Sequence, residues 1–299
     1  MQAGLVVFNY LYTFTKFLQP YFNLKTFTTR RDIREYLTSQ GAATIGFVPT
    51  MGALHNGHLS LIARARQGND ITVCSIFVNP TQFNDPKDLK NYPRTIAEDM
   101  AKLEQAGCDV LFNPPVTEIY DDNEQWHLNI GPLEHLLEGE FRAGHYQGVT
   151  QVVYKLLDIV KPDNLYMGQK DYQQFLVVSR MVNLMGLPVK MVMCPIEREI
   201  DGLAMSSRNI HLTPAERQHA RVLFKTLNWV KANFNIDNLP ALQKDAMAKL
   251  ASEEGVQPEY FSIVDGKTLL PANANSETIV ALTAARVGNT RLIDNVLIK

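Results

Sequence analysis

Only three cysteines occur in the 299 residues, none in a C-x-x-C pair. That leaves nothing from which to build a disulfide framework or a zinc ribbon. Cys74, Cys108 and Cys194 each sit in or beside an apolar run, so they read as small core residues in a reducing, cytoplasmic compartment. Charge of one sign is missing too: the formal net charge is -2, with no long basic or acidic run. A nucleic-acid footprint would demand a basic face, so no nucleic-acid partner is expected. No stretch is apolar over the length a membrane crossing needs. The nearest approach is the opening "MQAGLVVFNYLYTFTKFLQPYF", aromatic-rich and without charge before Lys16. Polar residues interrupt it, and it lacks the basic start and small-residue cleavage site of a secretory leader. Residues 1–23 therefore read as an extension that precedes the fold, without stable membrane insertion. No internal repeat is present.

What remains is ordinary for a globular protein, 45% apolar and 20% charged. From Phe27 to Pro195, short apolar runs alternate with helical patterns. The strand candidates are "ATIGFV" (43–48), "ITVCSIFV" (71–78), "DVLF" (109–112), "NLYM" (164–167) and "VKMVMC" (189–194). Their nearly unbroken apolar character is that of parallel strands covered on both faces. Between them, "TIAEDMAKLEQAG" and "QFLVVSRMVNLMG" carry helical spacing and close on Gly107 and Gly186. The alternation predicts an α/β fold, a Rossmann-like doubly wound parallel sheet spanning residues 24–196. Beyond it, Thr213, Pro214 and Glu216 open a strong helix at "TPAERQHARVLFKTLNWVKANF". A second helix near 239–254 and three strand-like runs, "EYFSIVD", "ETIVALTAARVG" and "NTRLIDNVLI", follow. They predict a smaller α+β C-terminal domain with a short antiparallel sheet over residues 197–299, acting as a lid.

In an open parallel sheet, ligands bind outside the carboxyl ends of the strands. "PTMGALHNGH" follows the first strand, "NPTQF" the second, "GQKDYQQ" the fourth and "PIEREIDGLAMSSRN" the fifth. All four polar loops thus converge on one rim. Gly52 and Gly57 let a ligand approach the backbone, and a helix opening near His58 presents free N–H groups to an anion. His55 and His58 add imidazole donors, Lys170 a point charge, Arg208 a planar fork, and Ser206 and Ser207 hydroxyls. Many donors and few carboxylates describe a polyphosphate site. Zinc is the rival for the two histidines. Metalloprotease histidines stand four apart around a glutamate, however, whereas here Asn56 and Gly57 intervene and no further ligand is near in sequence. Gln82 and Gln174 are neutral amides able to hold a hydroxy acid. "EGEFRAGHYQGV" (138–149) reads as a glycine-punctuated loop covering the pocket, with Arg142 and His145 as lid contacts.

Taken in order, "PTMGALHNGH", "FVNPTQF", "YPRT", "EGEFRAGHYQGV", "GQKDYQQ" and "DGLAMSSRN" closely resemble the pantoate–β-alanine ligase family of the H-x-G-H nucleotidylyltransferases. The resemblance runs from about Leu24 onward. Gln169 departs from it, where many members carry Glu, as does Ala143, where Pro is usual. The resemblance implies a ligase that joins ATP and pantoate into pantoyl-adenylate and passes the acyl group to β-alanine. It implies His55, His58, Lys170 and Arg208 as catalytic residues. Pro49, Thr50, Met51, Gly57, Gly168, Asp171, Met205, Ser206 and Ser207 complete the implied ATP site. Pantoate falls to Met51, Asn79, Gln82 and Gln174, and Asp99 is the implied contact for Mg2+. The family also implies a homodimer. Another H-x-G-H enzyme acting on a phosphorylated acceptor is the alternative, and it would need an extra cation where Gln82 and Gln174 stand.

Overall fold

A computed structural model describes residues 23–122 and 124–299. The expected N-terminal extension, apart from Asn23, lies outside the described residues. Six strands form one wholly parallel sheet: β1 (Lys25–Phe27), β2 (Ile45–Thr50), β3 (Ile71–Ile76), β4 (Val110–Phe112), β5 (Asn164–Gly168) and β6 (Lys190–Cys194). Their spatial order is β1-β4-β3-β2-β5-β6. Chain order runs outward from β2 through β3 to β4 on one side, with β1 added at that edge, and from β5 to β6 on the other, so the topological switch point lies between β2 and β5. A crevice opens at such a point, beyond the carboxyl ends.

Each strand sends alternate side chains to opposite faces. Phe47, Val73 and Phe112 point into one apolar cluster, which helices Arg30–Ser39 and His145–Val160 cover. Val48, Cys74 and Leu111 point into the other, under helices Asn56–Gly68 and Ile96–Ala106. All three cysteines are buried and unpaired, and burial pushes the Cys108 thiol up to about 12. They are core residues, as their neighbours in sequence suggested.

The remaining chain builds a second, antiparallel sheet, β7 (Val256–Asp265), β8 (Ile279–Val287) and β9 (Thr290–Leu297), with its own apolar cluster. Its leading helix starts on a Thr213 cap that accepts from Glu216 N, with Glu216 reaching back to Thr213 N. The single helix expected there is two, Pro214–Ala220 and Val222–Ala232, meeting at Arg221. The two sheets are joined by a smaller cluster that sets Tyr172 against Val264, Val280 and Leu282. The Tyr172 hydroxyl donates to Gly266 O at 2.9 Å. Arg198 forks onto Asp294, its Nη1 at 2.7 Å and its Nη2 at 2.9 Å.

Two elements depart from the sequence reading. β1, three residues paired with β4 at the sheet edge, is too short and polar to announce itself. More consequential, the segment expected to be a covering loop is largely helical. Glu138–Phe141 forms one turn and His145–Val160 a buried sixteen-residue helix. Its valine-rich "VTQVV" hid the i, i+3, i+4 spacing of Val149, Val152, Val153 and Leu156 behind a strand-like composition.

This helix comes very close to the turn after β3. A Cβ on Gly148 would fall 2.4 Å from Thr81 O and 2.8 Å from Gln82 N. Both are backbone atoms, so nothing can swing aside. Gly148→Ala should lower stability by roughly 1–3 kcal/mol, read as a shift in the urea midpoint. An unchanged midpoint would mean that the helix and turn are not held this tightly.

Candidate active site

A cavity of about 220 Å³ occupies the crevice. Every residue assigned to catalysis, ATP or pantoate lines it, while Asp99 and the expected lid contacts Arg142 and His145 do not: Pro49, Thr50, Met51, His55, Gly57, His58, Asn79, Gln82, Gly168, Lys170, Asp171, Gln174, Met205, Ser206, Ser207 and Arg208 are its members. A wider basin of about 750 Å³ adjoins it, sharing Lys170, Asp171, Ser206 and Arg208.

The imidazoles come from the turn that joins β2 to helix Asn56–Gly68. Its backbone is unusual: Gly52 has φ 81° and Ala53 φ 50°. For alanine, the left-handed region costs roughly 1 kcal/mol. What holds it there is Asp99, which is 1% exposed. One carboxylate oxygen accepts from Ala53 N at 2.8 Å, the other from Leu54 N at 2.7 Å. Thr95 Oγ1 donates to the same group at 3.2 Å. Lys102 Nζ donates to Leu54 O at 2.7 Å, and Ser207 Oγ to Ala53 O at 3.1 Å. Both oxygens of Asp99, the expected magnesium contact, are engaged with the chain itself, and Asp99 does not line the cavity. Among the described residues, no group of three or more His, Cys, Asp or Glu is placed to hold a metal ion.

His55 and His58 lie with ring centroids 4.0 Å apart. Burial, reinforced by the nearby Lys170 ammonium, brings His55 down to about 4. Burial and the neighbouring His55 hold His58 well below its ordinary value of 6.5. Both are therefore neutral at physiological pH, where each offers one N–H. The Nδ1 of His55 is buried without a hydrogen-bond partner among the described residues. The ring stands where it does because residue 57 is glycine: a Cβ there would meet its Cε1 and Nδ1 at 2.9 Å.

The cations have weak, half-exposed partners. Lys170 Nζ lies 3.5 Å from Asp171, and Arg208 Nη2 lies 3.1 Å from Asp88. A phosphate could displace either carboxylate at small cost, since ion pairs of such exposure are worth about 0–1 kcal/mol. Asn295 on β9 donates to Gln169 O at 3.0 Å and Lys170 O at 2.9 Å, fixing the turn that carries the lysine. Gln169 returns a hydrogen bond to Asn295 Oδ1 at 3.1 Å.

Away from the basin the cavity lining is apolar. Val149, Val152, Val153 and Leu156 line it together with Met51, Phe77 and Met167. Only Met51 of these was anticipated from sequence. Gln82 sits at the edge, its Nε2 on Met51 Sδ at 3.2 Å. Asn79 turns out to be its support: Nδ2 bridges Gln82 Oε1 and Gly148 O, both at 3.1 Å, while Oδ1 accepts from Tyr120 at 2.6 Å. Arg142, in the link between the two helical segments, and His145, the first residue of the long helix, sit beside this edge: His145 Nδ1 lies 2.9 Å from Gln82 O. A donor-rich anion end therefore meets an apolar, amide-edged end, which suits joining a nucleotide phosphate to a small branched acid.

Comparison with known proteins agrees with this geometry. A profile of the family described as pantoate-beta-alanine ligase matches residues 25–297. The chain belongs to the pantoate–β-alanine ligase family. It is 45% identical over 271 residues to the pantothenate synthetase of Roseiflexus castenholzii, covering 89% of this chain and 98% of that one. The crystal structure of pantothenate synthetase from Thermus thermophilus superposes with a TM-score of 0.86 at 40% identity, over 92% of this chain and 99% of the other. That of the pantoate-beta-alanine ligase from Francisella tularensis, complexed with beta-gamma ATP and beta-alanine, gives 0.77 at 36% identity, over 92% and 98%. Within this family, then, the chain carries the parallel sheet and the small antiparallel one that its sequence predicted.

Two expectations follow for this pantoate–β-alanine ligase family member. Asp99→Asn replaces one acceptor with a donor facing a backbone N–H, which should cost about 1–3 kcal/mol. The urea midpoint should fall even in metal-free buffer without ATP; a midpoint that changes only when magnesium and nucleotide are present would return Asp99 to the metal. The second concerns pH. His55, His58 and His145, the last held at about 3 by burial and Arg142, are neutral in the fold but titrate near 6.5 when unfolded. The unfolded chain thus binds more protons as pH falls below 6.5, and stability is lost from there down to about pH 3. The midpoint at pH 5 should lie below that at pH 7.5, and His55→Gln should flatten the difference.

Proposed function

We propose that this chain condenses pantoate with β-alanine at the expense of ATP, releasing AMP and pyrophosphate. The observation that carries the reading is the division of one cavity into a cationic, imidazole-lined end and an apolar end edged by Gln82 and Gln174. The apolar wall fits the branched carbon of pantoate, and the two amides suit its hydroxyls without drawing its carboxylate into a salt bridge. That carboxylate is left free to react. One of its oxygens bonds to the α-phosphorus while the bond to the bridging oxygen breaks, and the electron pair leaves with pyrophosphate. No protein nucleophile takes part.

In this reading His55 and His58 donate hydrogen bonds to the phosphate oxygens on which charge accumulates. They do so from a buried site where such donors count for more than in water. Lys170, Ser206, Ser207 and Arg208 hold the triphosphate and the departing pyrophosphate, and Pro49, Thr50, Gly57, Gly168, Asp171 and Met205 frame the nucleoside. Magnesium comes in on the triphosphate as part of that substrate. In the second step the amine of β-alanine bonds to the acyl carbon, the bond to the AMP oxygen breaks with its pair, and the amine sheds a proton to solvent. The Gln82 and Gln174 amides offer no cation for a phosphorylated acceptor, which disfavours the other H-x-G-H chemistries.

Residues 24–196 and 197–299 are taken as two domains, supported by the separate apolar cluster of each sheet. No described helix is long and apolar enough to cross a membrane. Homodimer formation and a cytoplasmic setting rest on family membership and, for the latter, on the three unpaired buried cysteines.

With ATP and pantoate but no β-alanine, rapid quenching should show a burst of pyrophosphate near one per site. AMP and pantothenate should accumulate only when all three substrates are present. Pyrophosphate release that requires β-alanine would replace the two-step route with a concerted one, and no amide under any condition would end the reading.

A further inference from the structure

Four arginines line the wider basin with Lys170: Arg142, Arg208, Arg286 and Arg291. Three of them meet carboxylates. Arg208 meets Asp88 and Arg286 meets Glu259 at 3.3 Å, while Arg291 meets Glu138 at 2.7 Å and Glu259 at 2.8 Å. Arg142 has no carboxylate within 4.0 Å among the described residues. Its one hydrogen bond is long, 3.5 Å from Nη2 to Gln82 O. Glu138, the nearest source of negative charge, is already held by both Nη atoms of Arg291 and by the Tyr260 hydroxyl. Burial works against the Arg142 charge; Glu138, though not in contact, offsets part of that, and Arg208 and Arg291 oppose it. A half-buried cation with no carboxylate in contact is expensive. It is expected where a ligand supplies the anion.

The position of Arg142 says which anion. It lines the basin and also a small recess of about 30 Å³ that reaches Gln174 and Lys170. Through Gln82 O it touches the turn whose side chain edges the acid-binding end. It therefore stands between the place where the acyl-adenylate would form and open solvent. The ATP phosphates belong to the imidazole end. The carboxylate of pantoate is consumed in forming the adenylate. When the amine arrives, the one free carboxylate among the reacting groups is that of the incoming amino acid, two methylene groups from its nitrogen. A planar guanidinium matches such a carboxylate with two parallel hydrogen bonds.

We propose that Arg142 receives the carboxylate of β-alanine and thereby selects an amino acid over a plain amine in the second step. This rests on the ligase reading above. It assigns specificity to the segment that the sequence suggested only as a cover.

The test uses the full chain and two amines, β-alanine and its carboxamide, 3-aminopropanamide. Wild type should prefer β-alanine strongly. In Arg142→Gln the KM for β-alanine should rise by at least about 30-fold relative to that for pantoate, and the preference between the two amines should collapse toward unity. Arg142→Lys, which keeps charge but loses the fork, should lie between and covers the case in which the glutamine variant fails to fold. Retained preference in either folded variant, or KM values for pantoate and β-alanine that rise together, would overturn the assignment. A wild-type protein that joins neither amine to pantoate would instead remove the ligase reading itself.

Discussion

A single buried carboxylate sets the geometry on which this site depends. Asp99 accepts from two successive backbone N–H groups, those of Ala53 and Leu54, and so traps a turn that alanine would not choose unaided. Because the turn leads directly into helix Asn56–Gly68, fixing it also fixes where that helix begins and where His55 and His58 stand. Helix Ile96–Ala106 supplies Lys102 as well as Asp99, gripping Leu54 from its carbonyl side. An element with no residue in the cavity thus aims the residues that line it. Ser207 adds a third hold from the far side.

The electrostatic design follows from dryness. Buried imidazoles cannot carry charge cheaply beside a lysine, so they stay neutral and serve as donors. The permanent positive charge is left to Lys170 and Arg208, whose carboxylate partners are half exposed and easily exchanged. Self-repulsion among the cations is thereby kept low before substrate binds, while an arriving polyanion finds preoriented donors in a medium of low dielectric. Glu138, Arg291, Glu259 and Arg286 form a separate network at the basin wall, and their mutual pairing leaves Arg142 with no carboxylate in contact.

The sheet and the polar half of the site were legible because both rest on local regularities. Unbroken apolar runs such as "ITVCSIFV" mark strands covered on both faces, and the rule placing ligands at their carboxyl ends sorts the loops. Asp99 was visible as an acid but not as an anchor. Its partners are backbone groups some 45 positions away, and no side-chain pattern reports them. The supporting role of Asn79 was hidden for a similar reason: it lines the cavity, but its amide also holds Gln82, Gly148 and Tyr120, contacts that no local pattern reports. The apolar wall escaped because helix His145–Val160 is rich in β-branched residues and opens with glycines. Its glycines argued for a loop, and tertiary burial overrode that preference.

Asn295 carries a further implication. Its side chain holds the Gln169–Lys170 turn from β9, whereas the imidazole turn follows β2 near the opposite end of the described chain. During synthesis on the ribosome, the parallel sheet and its apolar faces can assemble well before β9 has emerged. The lysine turn then waits unlatched, so a nascent chain would acquire its architecture first and its competence to handle nucleotide only once β9 has followed.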